Sequence, residues 1–152
     1  MPIFGDPDEL ERLLGADEHE LSILVAEPLE DEHPLIWANE QFYARTGYTE
    51  AEVLGRDWTF LAGEYTDDDA VELIYEIMRE GKAVDLDVRL YRKDRSTFWN
   101  RVRVRSIYDG DWNLSYFVAT HRLITPSEIR PVPVVSDERD KLQLRDRTMK
   151  WN

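Results

Sequence analysis

Hydrophobic and polar positions change their spacing along the chain, and each spacing predicts an element. Near the start, Leu10, Leu13 and Leu14 fall at i, i+3 and i+4 and make one stripe of a short helix. Asp6 suits the N-cap, Pro7 the first helical position, Glu9 the capping box and Gly15 the stop. So short a helix is marginal alone, and its stripe needs a surface to pack on. Apolar runs over residues 21–26 and 35–38 then read as strands, joined by an acidic, Pro-containing loop over 27–34.

Helical spacing returns after Asn39, which suits the cap of a helix running through Phe42 and Tyr43 to Gly47. Thr49 and Glu52 form a second capping box, and that turn ends at Gly55. The clearest helix opens at Asp67, Asp68 and Asp69, buries a stripe of Ala70, Ile74, Ile77 and Met78, and ends at Gly81. Its three acids sit at the positive end of the helix dipole.

The spacing then becomes a strict alternation. Val84, Leu86, Val88 and Leu90 alternate with Asp85, Asp87, Arg89 and Tyr91. Beyond a charged turn over 92–96, Phe98, Asn100, Val102, Val104 and Ser106 alternate with Trp99, Arg101, Arg103 and Arg105. Asp109-Gly110-Asp111 makes a hairpin turn into a last strand over 114–122. The order β-β-α-α-α-β-β-β predicts an α+β fold: a five-stranded antiparallel sheet with helices over one face. Pro126, Pro131 and Pro133 bar a continuous helix or a central strand beyond it, so residues 125–152 read as an extended or weakly helical tail. The expected organisation is a cap helix over 1–19, a domain over 20–124 and that tail.

Composition narrows the function. A chain of 152 residues with 42% hydrophobic content supports one domain with a real core. The net charge of −13 opposes generic binding to nucleic acid or to anionic membranes. No apolar run is long enough for a membrane span, and the acidic first twenty residues are unlike a signal peptide, so a cytoplasmic protein is expected. With no cysteine there are no disulfides or thiolate metal sites, and His19, His33 and His121 show no metal-ligand spacing.

Several motifs, in order and properly spaced, carry a family resemblance over residues 20–124. Pro34-Leu35-Ile36-Trp37-Ala38-Asn39, Phe42 and Thr46-Gly47-Tyr48-Thr49 resemble the opening of a PAS domain. Gly55-Arg56-Asp57-Trp58-Thr59-Phe60-Leu61-Ala62-Gly63 resembles the Gly-x-Asn-Cys-Arg-Phe-Leu-Gln-Gly signature of the flavin-binding, blue-light-sensing LOV branch. Tyr91-Arg92-Lys93-Asp94 and Phe98-Trp99-Asn100 resemble that branch's central strands.

At the ligand positions the resemblance implies a degenerate flavin pocket. Trp58 stands for the cysteine that attacks the flavin, Asp57 for the preceding Asn, and Thr59 and Tyr75 for two phosphate-binding arginines. Ala62 and Leu90 replace a Gln and an Asn, Asn100 is kept, and Ala119 and His121 stand for the last strand's Gly and Gln. Each absent arginine forfeits a charge-assisted contact of roughly 1.5–3 kcal/mol. No flavin and no other cofactor is therefore expected. Trp58 reads as a pocket filler rather than a redox partner, and His121 as a hydrogen-bonded core residue rather than a haem ligand. No nucleophile accompanies Asp57 and His121, so no enzyme is expected.

If Asn100 points inward, strand alternation turns Trp99, Arg101, Arg103 and Arg105 outward, and inward His121 leaves Tyr116 and Val118 outward. An aromatic and aliphatic centre beside an arginine row is the composition of a protein interface. Alternatively, the arginines pair with Asp85 and Asp87 and the chain's own terminal helix covers the apolar centre. With no kinase, cyclase or DNA-binding module expected in the remaining residues, the reading is a stand-alone regulator. It docks a protein such as a sensor histidine kinase, or a second copy, through this face. Its rivals are a sensor of a non-flavin small molecule and a flavoprotein that forms no adduct.

Overall fold

A computed structural model of the protein describes Leu14 and residues 21–29, 32–136 and 142–144. The elements are β1 (Ser22–Ala26), β2 (Leu35–Ala38), α1 (Glu40–Thr46), α2 (Glu50–Val53), a 3₁₀ turn (Trp58–Leu61), α3 (Asp68–Glu80), β3 (Ala83–Tyr91), β4 (Thr97–Tyr108), β5 (Leu114–Leu123), a second 3₁₀ turn (Pro126–Glu128), β6 (Val134–Ser136) and β7 (Leu142–Gln143). The cap helix predicted over 1–19 lies outside the described residues except for Leu14, which is helical and buried.

The helix caps follow the sequence. Asn39 Oδ1 accepts from the Phe42 N–H (3.0 Å) and the Ile23 N–H (3.0 Å), and Asn39 Nδ2 donates to the Leu21 carbonyl (2.8 Å). One amide thus caps α1 and pins it to β1. Asp67 caps α3 by accepting from the Asp69 N–H at 3.0 Å, and Gly81 ends that helix at φ 68°, a conformation that favours glycine. Ile74, Ile77 and Met78 are buried on α3, with Ala70 half-buried beside them.

The sheet runs β2-β1-β5-β4-β3-β6, every neighbouring pair antiparallel, and β7 adds to β4 in parallel beyond the end of β3. The fold is α+β, an antiparallel sheet with helices packed on its inner face. The five strands expected from the pattern form its body. The segment expected as a tail adds two short strands. Proline explains their place, since β6 begins directly after Pro133 and lies at an edge, where a missing N–H costs least. A carboxylate anchors this segment: Asp87 takes two hydrogen bonds from the Arg101 guanidinium (2.8 and 3.0 Å) and one from the Arg130 N–H (2.6 Å).

Two apolar clusters sandwich the sheet. The inner one joins Leu24, Ala26, Val84, Leu86, Val88, Leu90, Val102, Val104 and Phe117 to Phe42, Val53, Leu61 and the α3 stripe. The outer one joins Ile23, Val25, Ile107 and Val118 to Leu14 and Leu144. The polar side of the strand pattern therefore also hides a small core, built from both ends of the chain.

Candidate functional site

The inner site forms where the 3₁₀ turn meets α3 and the sheet. Asp57 is the N-cap of that turn, and its Oδ2 accepts from the Thr59 N–H (3.2 Å) and the Thr59 hydroxyl (2.6 Å). Tyr75, on α3, donates its hydroxyl to the same oxygen. Burial, together with the hydrogen bond and negative charge of Asp57, pushes the Tyr75 phenol well above its usual pKa. At the end of the same segment Gly63 is required by close approach, because a Cβ there would come within 2.5 Å of the Tyr91 ring. Tyr91 in turn accepts the Tyr65 N–H at 2.8 Å, which fixes the exit of the segment.

Trp58 begins the turn and lines an interior cavity with Leu24, Leu35, Ile74, Met78, Leu90, Phe117, Ala119 and His121. The cavity measures about 40 Å³, far below the roughly 300–1,000 Å³ of sites that enclose a drug-sized ligand. Trp58 is half-buried and its ring lies 5.8 Å from that of Tyr75. Asn100 is buried on the same inner face, opposite Val88, and donates to the Phe98 carbonyl at 3.3 Å. Ala62 is half-buried at the C-cap of the turn.

His121 is buried, and burial pulls its pKa down to about 4; the nearby Arg45 charge also lowers it, against a backbone hydrogen bond at Ser22 that raises it. The imidazole is therefore neutral at neutral pH. Among the described residues, neither Trp58 Nε1 nor His121 Nδ1, both buried, has a hydrogen-bond partner.

Outside this filled interior, a second cavity of about 500 Å³ opens between the loop at 32–34 and α3. Glu32, His33, Pro34, Gly55, Asp57, Tyr75 and Arg79 line it. Sequence reading missed this cleft. It treated Asp57, Thr59 and Tyr75 as separate lost positions, whereas the fold ties them into one network. Only the i, i+4 spacing of Tyr75 and Arg79 hinted that these two side chains share a face.

The outer face follows the expected parity, with Asn100 and His121 inward and Trp99, Arg101, Arg103 and Arg105 on the other side. Arg101 is committed to Asp87, and Arg103 stands in register with Asp85 on one side and Thr120 on the other. Val118 and Arg105 are buried, while Trp99, Arg103 and Tyr116 are half-buried. Leu14 and Leu144 pack on Val118, Ile23, Val25 and Ile107, so the chain covers the apolar centre of this face. The alternative of a self-covered face describes these residues better than an open one.

Comparison with known proteins decides the family. Residues 21–126 match the PAS domain family. The chain belongs to the PAS domain family.

Within it, this PAS domain is 36% identical over 121 residues to the bacterioopsin transcriptional activator of Halobacterium salinarum, across 78% of this chain and 18% of that protein. It is 33% identical over 128 residues to blue-light-activated histidine kinase 1 of Erythrobacter litoralis, across 84% of this chain and 36% of that one. The dark structure of the LOV domain of the blue-light photoreceptor aureochrome 1 superposes with a TM-score of 0.70 at 27% identity, covering 81% of this chain and 88% of that one. The chain spans well under half the length of the curated relatives it matches. It is thus a sensory PAS domain of LOV type, related to light-activated histidine kinases and lacking the cysteine of its branch. Among the described residues no cluster of His, Asp and Glu is arranged to hold a metal ion, and no helix is long and apolar enough to cross a membrane.

Proposed function

We propose that this PAS domain signals by docking to a protein partner through its outer sheet face, without flavin photochemistry. The observation that carries the reading is Trp58. An indole occupies the position of the reactive cysteine and, with the inner core, leaves about 40 Å³ of open space. The phosphate positions, Thr59 and Tyr75, donate to an internal carboxylate and offer no cation. Half-buried Trp99, Arg103 and Tyr116 supply the aromatic and cationic composition of an interface, around a centre at Val118 and Arg105 that Leu14 and Leu144 cover, so docking engages the rim of the face or displaces that cover. The kinship to blue-light-activated histidine kinases supports a sensor kinase as the partner, and a second copy of the domain fits the same surface.

Equilibrium dialysis against FMN, together with the absorption spectrum of the purified protein, tests the first half. The expected result is a colourless protein that retains no FMN, and micromolar retention overturns it. Light scattering and capture of a sensor kinase, with the wild type and Arg103→Glu, test the second half. Reversal of a half-exposed charge should weaken association while the melting curve stays normal.

One observation favours a second reading, a sensor of a small non-flavin ligand. The cleft of about 500 Å³ lined by Asp57, Tyr75 and Arg79 is large enough to hold one.

A further inference from the structure

Three arginines gather on one residue pair at the end of the sheet. Tyr91 closes β3 and stands in register with Thr97, which opens β4. Arg89 Nε donates to the Thr97 hydroxyl (2.9 Å), and Arg92 Nη1 donates to the Thr97 carbonyl (3.4 Å) and the Ser96 hydroxyl (3.3 Å). Arg95 lies over the Tyr91 ring, 4.5 Å from its centroid. Rings hold the other two as well, with Arg89 over Tyr65 at 5.2 Å and Arg92 over Phe98 at 4.3 Å. Tyr65 is exposed, and its N–H is tied to the Tyr91 hydroxyl, so the Arg89 and Arg95 stacks adjoin.

None of these cations meets a carboxylate. Among the described residues Arg89, Arg92 and Arg95 form no ion pair, on a chain with 32 acidic residues against 19 basic ones. The acids at the turn are engaged elsewhere. Asp94 accepts from the Ser96 N–H (2.9 Å) and hydroxyl (2.6 Å), and those bonds, more than the Arg92 charge, hold its carboxyl below the usual range. Glu52 takes Lys93 at 2.7 Å, and Glu64, next to Tyr65 in sequence, pairs with none of the three arginines. Ring faces and neutral acceptors thus fix each guanidinium while its charge stays uncompensated. Among the described residues Arg89 spends only Nε, and Arg95 none of its donors.

Screening decides which anions such a cluster can hold. At physiological salt, charges more than about 8 Å apart are largely screened. A short acidic segment feels the local arginines, whereas a nucleic acid or an anionic membrane extends over the rest of a chain with a net charge of −13.

We propose that the β3–β4 turn binds an acidic segment of a protein partner, with carboxylates on Arg89, Arg92 and Arg95 beside the exposed ring of Tyr65. This goes beyond docking through the outer sheet face. Along β4, Thr97 stands about 26 Å from Arg105, the register partner of buried Val118. The two surfaces can therefore fail separately.

Fluorescence anisotropy of the full chain with a labelled peptide of alternating Glu and Gly tests it, with a Gln and Gly peptide as the uncharged control. The acidic peptide should bind at low salt with a Kd below about 1 mM and weaken about fivefold or more at about 150 mM salt. Arg89→Gln with Arg95→Gln should weaken it about tenfold or more while the melting curve stays normal. Arg79→Gln with Lys82→Gln makes the same change in net charge near the other end of β4, where Tyr108 ends the strand beside Gly81, and should leave binding unchanged. In the wild type, the resonances of Tyr65 and Arg95 should shift on adding peptide, which locates the site without any variant.

The proposal is overturned if the acidic peptide shows no binding at about 10 mM, or if the uncharged peptide binds as tightly. Equal loss of binding in the two double variants overturns it too, since net charge alone would then explain the effect, and so do shifts confined to other residues. Single-stranded DNA of matched charge that binds more tightly than the peptide at the same salt would give the turn to a nucleic acid instead.

Discussion

The Tyr75 hydroxyl donates to the Asp57 carboxylate oxygen that also takes both donors of Thr59. Resemblance to flavin-binding relatives gives positions 59 and 75 to cations that face a phosphate. Here both are neutral donors facing inward to an acid. The three side chains form a bracket between the 3₁₀ turn and α3. Tyr75→Phe removes one donor to a charged acceptor and should destabilise the domain by about 1–2 kcal/mol, at the low end for such bonds because the site is only half-buried. Urea unfolding compared with the wild type measures it. An unchanged midpoint would mean that the bracket carries no stability.

Much of this architecture was legible in the sequence. Helix boundaries followed from caps with a specific chemistry, as at Asn39, Asp67 and Gly81. Strand faces followed from a parity that one anchor, Asn100, was enough to set. What stayed hidden depended on contacts between distant segments. Nothing local in Asp57, Thr59 and Tyr75 says that the three share one oxygen. The segment leading into the 3-residue strand β6 is anchored at Arg130 by Asp87, whose own pattern position marks it only as solvent-facing. Its side chain is fully buried against Arg101 and Arg130. The cleft escaped notice because its negative rim comes partly from the loop at 32–34, where no periodicity constrains the side chains.

Trp58 and the mouth separate space from charge as barriers to flavin. Trp58→Ala should cost about 3 kcal/mol, the lower end for truncating a core aromatic, because the indole is half-buried. That variant should gain little FMN affinity, since positions 59 and 75 still offer no cation to the phosphate. Restoring cations with Thr59→Arg and Tyr75→Arg should likewise gain little while the indole remains. The three substitutions together should bind FMN more tightly than either set alone. Each restored charge-assisted contact is worth roughly 1.5–3 kcal/mol. Dialysis across the series reads the coupling. Tight binding by Trp58→Ala alone would make space the only barrier.

Acid should destabilise this domain in two stages. Burial holds His121 at about 4, below the ordinary histidine value near 6.5, so the unfolded chain takes up a proton that the folded one resists. Stability is therefore full above about pH 6.5 and falls as pH drops towards 4, by roughly 3 kcal/mol in all. Asp87 takes over below that range. Burial raises its carboxyl, but the hydrogen bonds from Arg101 and the Arg130 N–H outweigh burial and hold it below the usual carboxylate range. Its contribution is present above the unfolded carboxylate value and is lost as pH falls through the folded one. Urea midpoints between pH 7.5 and 3 should show both stages, and His121→Gln should remove only the first. A variant that keeps the loss between pH 6.5 and 4 would assign that stage to another group.

The outer face offers a test that separates cover from contact surface. Leu144 is buried against Ile107 and Val118, and its N–H donates to the Tyr108 carbonyl at 2.8 Å, while the Gln143 amide donates to the Asp109 and Gly110 carbonyls at 3.2 Å. These contacts tie the end of β7 to the rim of the β4–β5 hairpin and close the apolar centre of the face. Leu144→Ala removes most of that apolar anchor, at a cost of about 2 kcal/mol, the low end for a core leucine because the segment can collapse onto the gap. Loosening the cover should make Val118 and Tyr116 more available and raise the domain's association with itself or with a kinase partner. Adding Arg103→Glu should reverse that rise if the proposed partner surface is acidic, since a glutamate in the arginine row would repel it. Light scattering on the single and double variants reads both steps. A looser cover with unchanged association would leave the outer cluster as core alone, and the docking surface would have to lie elsewhere on the domain.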